Sequence, residues 1–164
     1  MFYNSPAGLI KIKISGGFIN EITFIKKEED QIETPSISLS AEDKKIFKKC
    51  TTQLDEYFSG ERKNFELPIR QDGTEFQQRV WNELMQIPYG KPISYLQLAG
   101  RLGNVKTIRA AASANGRNQL CIVVPCHRVI GSDGSLTGYG GGLARKKWLL
   151  DHEAKFEDGM RTLF

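Results

Sequence analysis

Isoleucines at 10, 12 and 14 alternate with Lys11 and Lys13, the two-residue period of a strand with one buried face. Ser15-Gly16-Gly17 supplies a turn, and Phe18 to Ile25 returns as a second strand. Phe2 and Tyr3 begin an earlier strand that ends at Ser5-Pro6-Ala7-Gly8. Residues 26–39 are polar and aperiodic, which predicts a loop. The period then becomes helical. Ser40 caps a helix to about Phe58, with Ile46, Phe47, Cys50, Leu54 and Tyr57 on one stripe and Gly60 as the stop. Phe65, Leu67 and Ile69 alternate as a short strand. No chemistry converges in this first lobe, and its expected role is scaffold.

Beyond residue 70 the pattern is helical. Thr74 with Gln77, and Ser94 with Gln97, are capping-box pairs that open two helices. The first keeps Phe76, Val80, Trp81 and Leu84 on one face to about Ile87, and Pro88-Tyr89-Gly90 breaks it. The second carries Leu98, Ala99 and Leu102 and stops at Gly103-Asn104. Lys106 to Gly116 is a third helix rich in small residues, so this pair fits a helix-turn-helix. Small residues allow a close approach to a sugar-phosphate edge, and they equally allow close packing of helix on helix. Leu120–Val124 is an apolar run expected as a buried strand. Residues 136–142 form a glycine-rich loop around Tyr139, without a phosphate-cradling ending or a dinucleotide fingerprint. Leu143 to His152 is a last helix, with Trp148, Leu149 and Leu150 expected inward and Lys146 and Lys147 outward; residues 155–164 are expected as a loosely held tail.

These elements predict an α+β fold. A small N-terminal antiparallel β-sheet lobe with a helix (residues 1–70) precedes a mainly helical C-terminal lobe (residues 71–164) that holds the helix-turn-helix and a reactive cysteine. A net charge of +4 and a pI near 9.0 suit a polyanionic partner without establishing one. The three cysteines, Cys50, Cys121 and Cys126, are too few and too irregular for a disulfide framework, which points to a reducing compartment. With only His127 and His152 besides, no zinc-finger spacing exists and no metal is expected. No apolar run approaches the ~20 residues of a membrane span, and the N-terminus lacks a leader pattern. A soluble, unexported protein is expected.

Candidate chemistry centres on Val124-Pro125-Cys126-His127-Arg128-Val129. A thiolate is the nucleophilic form of cysteine, and a neighbouring imidazole or guanidinium favours it. The bland alternative is a buried structural cysteine. Two further readings stay open on these residues: a DNA-binding module with an inert Cys126, and a Cys-His-Glu hydrolase that turns over repeatedly.

The chain resembles the O6-alkylguanine-DNA alkyltransferases. The resemblance rests on Pro125-Cys126-His127-Arg128-Val129, Ile87-Pro88-Tyr89-Gly90, Ser94-Tyr95, Arg109-Ala110, Gly138-Tyr139-Gly140-Gly141-Gly142-Leu143-Ala144, Trp148-Leu149-Leu150 and His152-Glu153. It is dense and in order over residues 72–153 and loose before that. It implies direct-reversal DNA repair on double-stranded DNA containing alkylated bases. The substrate would be O6-alkylguanine, with O4-alkylthymine as a second expected one, and the alkyl group would move irreversibly to Cys126. His127, oriented by Glu153, would act through a water as the base, and Asn118 would hold the active-site turn. Tyr95 would crowd a phosphate and donate to the purine. Arg109 would enter the base stack, with Ala110, Ser113, Arg117 and Arg128 also at the DNA. Tyr95, Cys126, Val129, Tyr139 and Gly140 would form the substrate pocket. No cofactor is expected. The protein is expected to be a cytoplasmic monomer (nuclear in a eukaryote). Some relatives bind zinc in the first lobe, but no Cys or His precedes Cys50 here, so no such site is expected.

Overall fold

A computed structural model describes residues 1–26 and 39–157. Strands β1 (Phe2–Ser5), β2 (Gly8–Ser15) and β3 (Phe18–Phe24) form an antiparallel meander in that order. Ile10 pairs with Phe24 and Ile12 with Ile22, and Ile10, Ile12, Ile19 and Ile22 are fully buried. Each such side chain contributes about 1.5–3 kcal/mol by leaving water. Helix α1 (Ala41–Phe58) covers this face. Ser40 caps it by accepting from the Asp43 N–H, and Ile46, Cys50, Leu54 and Tyr57 are buried. Most of the expected loop at 26–39 falls outside the described residues, as do positions 158–164 of the expected tail.

The alternating residues 65–69 do not form a strand. Only Ile69 pairs, in an isolated parallel bridge to Ile19. Pro68 has no N–H to give a ladder, and its carbonyl instead accepts from Ile19.

In the second lobe α2 (Glu75–Leu84) and α3 (Tyr95–Arg101) begin at the two capping boxes. A 3-10 turn (Val105–Thr107) leads into α4 (Ile108–Gly116). Buried Ala111 and Ala114 let α4 lie close to α2, where Trp81 Nε1 donates to the Ala114 carbonyl at 3.0 Å. Strands β4 (Ile93–Ser94) and β5 (Val129–Ile130) form a short parallel pair. Helix α5 (Leu143–Phe156) is the last element among the described residues.

The structure departs from expectation at two further places. Residues 120–124 are a turn, not a strand. The Asn118 side chain takes the Leu120 N–H and the Val124 carbonyl, and the Val124 N–H closes on Leu120 O at 2.9 Å. At its centre Ile122 adopts φ +72°, a left-handed conformation that costs a β-branched residue about 1–2 kcal/mol. The turn also docks on the edge of β3, through Ile22 N–H to Gln119 O and Cys121 N–H to Ile22 O. The second departure is Lys146, which is fully buried rather than outward. It shares the inward stripe of α5 with Leu149 and Glu153, at helical spacings of three and seven. Trp148 and Leu150 are only half-buried.

Candidate active site

Pro125 ends the turn, and residues Cys126–Arg128 form one 3-10 turn whose side chains are all buried. Cys126 is buried, at 5 % exposure. Its thiol is held below the ordinary cysteine value. The Cys121 thiol contributes most through a hydrogen bond; burial opposes; the Asn118 side chain and the Lys146 ammonium add to the lowering. Asn118 therefore does two jobs. Its Nδ2 donates to Val124 O at 2.8 Å to hold the turn, and its Oδ1 accepts from Gln71 and from Leu120 N–H. Asn115 Nδ2 donates to the Cys126 carbonyl.

His127 and Arg128 both turn to Glu153 on α5. Glu153 Oε2 lies 2.5 Å from His127 Nε2, and Oε1 accepts from Arg128 Nε at 2.6 Å. Tyr57 Oη donates to Oε2 at 2.7 Å, and the Gly90 N–H donates to Oε1 at 3.2 Å. Burial pushes the Glu153 carboxyl up, but His127 and Arg128 together outweigh it and hold the group well below the usual carboxylate range. An ionised carboxylate can only accept. The neutral imidazole must then carry its proton on Nε2, which leaves Nδ1 with a free lone pair. That atom is buried and has no hydrogen-bond partner among the described residues. The arrangement gives a base whose tautomer is fixed by a carboxylate.

Beside α4 lies a cavity of about 560 Å³, lined by Tyr95, Ile108, Arg109, Ala112, Gly116, Thr137, Gly138, Tyr139 and Gly140. It unites residues named from three separate motifs. Tyr95 and Tyr139, which wall the cavity, also feel the charge of Cys126. Tyr95 Oη donates to Thr137 O at 3.0 Å, and Lys146 Nζ donates to the same carbonyl at 2.9 Å. Val129, buried in β5, and Cys126 do not line the cavity surface. Arg109, Ala110, Ser113 and Arg117 are all exposed along α4 and its C-terminal cap.

Arg128 is the misplaced member of the DNA-binding set. It is buried, its guanidinium spans Glu153 and the Ile87 carbonyl, and it cannot reach a phosphate. Sequence reasoning does not pick out three further residues of the site. Tyr57 reads as core from its helical stripe, yet it carries a hydrogen bond from the first lobe to Glu153. Lys146 reads as surface from its charge, though its helical spacing to Leu149 and Glu153 is a legible signal. Cys121 stands in the sequence only as one of three cysteines, and no pattern marks it.

Two family models match the chain: "6-O-methylguanine DNA methyltransferase, ribonuclease-like domain" over residues 1–71, and "6-O-methylguanine DNA methyltransferase, DNA binding domain" over residues 75–155. The methylated-DNA–protein-cysteine methyltransferase of Methanosarcina acetivorans is 42% identical over 151 residues, which is 92% of this chain and 95% of that protein. The protein of that name from Mycobacterium tuberculosis is 40% identical over 161 residues, 98% and 95% of the two chains. A crystal structure of Mycobacterium tuberculosis OGT in complex with DNA matches with a TM-score of 0.82 at 38% identity, covering 94% of this chain and 92% of that one. Both family models and relatives of near-equal length place this chain in the 6-O-methylguanine DNA methyltransferase family.

Proposed function

We propose that this chain repairs double-stranded DNA by direct reversal, moving the alkyl group of an O6-alkylguanine onto Cys126 once per molecule. The observation that carries the reading is the contact of His127 with Glu153, beside a buried cysteine held below its ordinary pKa, together with a cavity walled by Tyr95, Tyr139 and the exposed face of α4. His127 Nδ1 takes the Cys126 proton through a water. The sulfur then attacks the alkyl carbon; the S–C bond forms, the C–O6 bond breaks, and the guanine takes a proton from Tyr95. The thioether product has no labile bond, so the protein is consumed. O4-alkylthymine presents the same alkyl–oxygen bond and is a second substrate on this reading.

The lesion inside a duplex must be turned out to meet a buried sulfur, at a cost of a few kcal/mol. Arg109, at the first turn of α4, fills the vacated stack. Ala110, Ser113 and Arg117 meet the backbone beside it. Tyr95, Tyr139 and Gly140, which line the cavity, receive the base. The relative solved with DNA, at a TM-score of 0.82, supports this use of the helix-turn-helix. On this reading residues 1–70 form the scaffold, residues 71–164 bind DNA and transfer the alkyl group, and the monomer works in the compartment that holds DNA, the cytoplasm of a cell without a nucleus. No helix among the described residues is long and apolar enough to cross a membrane.

Incubation with a duplex containing O6-methylguanine, followed by intact and peptide mass measurement, tests the reading. One added methyl group on Cys126, saturating at one per chain and absent in Cys126→Ala, is the expected result. Binding without mass gain, or repeated hydrolysis of an ester, would overturn it.

A further inference from the structure

The carboxylate that faces the base is held from both lobes. Tyr57 Oη, in the last turn of α1, donates to Glu153 Oε2 at 2.7 Å across 96 residues of chain, and His127 Nε2 meets the same oxygen. Tyr57 is fully buried, and two consecutive residues of α5 fix both of its ends. Glu153 holds the hydroxyl, and His152 Nε2 donates to the Tyr57 carbonyl at 2.8 Å. The last turn of α1 carries no basic side chain, so this donor from α5 serves a carbonyl that a C-terminal cation would otherwise meet. The Tyr57 ring packs against Phe65, Tyr89 and His152, with centroids 5.6, 6.0 and 5.3 Å away. We propose that Tyr57 is a positioning residue for the base: its hydroxyl aims Glu153 Oε2 at His127, takes up part of the charge on that oxygen, and so sets how firmly the imidazole holds a proton.

The inference rests on His127 serving as the base of the proposed transfer. Burial first, and the Glu153 charge next, push the Tyr57 hydroxyl well above the ordinary tyrosine value, so it keeps its proton and donates. Oε2 then divides its lone pairs among Tyr57, His127 and Arg128 Nη2, the last at 3.2 Å. His127 and Arg128 both come from the 3-10 turn, and Tyr57 is the donor that the first lobe supplies. The remaining groups around the carboxylate are the Gly90 N–H on Oε1, Tyr89 beside it, and His152 on α5 itself. A donor to a carboxylate draws off charge that would otherwise stabilise an imidazolium on the same oxygen. Loss of the Tyr57 hydroxyl should therefore let His127 keep its proton to higher pH. The ring contacts alone would give no such effect.

The test is the titration of His127, read from its imidazole resonances by NMR in the free protein. Tyr57→Phe keeps the ring and should raise the midpoint by about one pH unit. Replacement of every tyrosine by 3-fluorotyrosine, whose hydroxyl is the stronger donor, should lower it, since Tyr57 is the tyrosine that donates to Glu153. Single-turnover methyl transfer by Tyr57→Phe at saturating duplex should show its acid limb displaced upward with the midpoint, because the neutral imidazole is the form that takes the thiol proton. A midpoint unmoved in Tyr57→Phe, or a transfer loss by one factor at every pH, would overturn the proposal: lost packing slows transfer without displacing the limb. If Tyr57→Phe does not fold, the fluorinated protein decides alone, and a midpoint that stays or rises there overturns the proposal. Failure of the wild type to take up methyl would refute the repair reading instead, and the His127 midpoints would still decide the role of Tyr57.

Discussion

Glu153→Gln removes one charge from a site that is 1 % exposed and changes almost no volume. The carboxylate accepts from His127, from Arg128 through both Nε and Nη2, from Tyr57 and from the Gly90 N–H. A glutamine keeps one acceptor oxygen and adds two donors that face other donors. The Arg128 guanidinium, 5 % exposed, loses its counter-charge. Breaking a buried pair this way costs about 3–5 kcal/mol, a large part of the roughly 5–15 kcal/mol typical of a domain. For a chain of this length that is a fall of roughly 6–20 °C in Tm. The wild type also carries a pH signature. The Glu153 carboxyl is depressed in the folded state, so its contribution is complete above the unfolded value of about 4.3 and is lost as pH falls below that towards the folded value. Urea unfolding followed by circular dichroism between about pH 7 and pH 3 should show that slope in the wild type and a shallower one in Glu153→Gln. The variant should also transfer methyl about 10²- to 10⁴-fold more slowly, the range of general-base effects, because an amide can donate to Nε2 and leave the imidazole in the wrong tautomer. A Glu153→Gln protein within about 1 kcal/mol of the wild type at neutral pH would refute the assignment of the charge cluster.

Asn118→Ala strands the Leu120 N–H, takes the acceptor from the Gln71 amide and removes one of the two donors to the Val124 carbonyl, and it should cost about 2–4 kcal/mol in urea unfolding; a loss below about 1 kcal/mol would show the turn to be held otherwise. Gly90→Ala forces a side chain onto φ +73°, with its Cβ 2.8 Å from Glu157 Cβ and 3.2 Å from Glu153 O. It should destabilise by about 1–3 kcal/mol and slow methyl transfer, read by melting and by quench-flow. Arg109→Ala should lose transfer from duplexes far more than from a free alkylated guanine base; equal losses on both would remove Arg109 from the stack.

Local chemistry makes the helices of this chain legible. Ser40, Thr74 and Ser94 announce their caps because a short side-chain oxygen beside the first free N–H groups has few other uses. The acceptor cysteine and its base are visible as neighbours in the chain. The partner carboxylate lies twenty-six residues away and is reached only through resemblance, since no periodicity links it to His127. The misplaced residues share a cause. At Lys146 and Arg128 a charged side chain reads as exposed, although both are buried and find polar partners, in Thr137 O and Glu153. The apolar run at 120–124 looks like a strand because its composition is that of one. The Asn118 side chain redirects its backbone, and a contest of that kind depends on a fold that composition does not encode.

The outer edge of β3 is finished by the very turn that carries the acceptor sulfur, through Ile22 to Gln119 and Cys121. A sheet that ends this way shares its fate with the residues it borders. Any lesion in the strands, however distant from DNA, that lets this margin peel away would loosen residue 126 as well. Faults in the apparently passive half of the molecule would thus surface first as unrepaired bases, before the protein as a whole unravels.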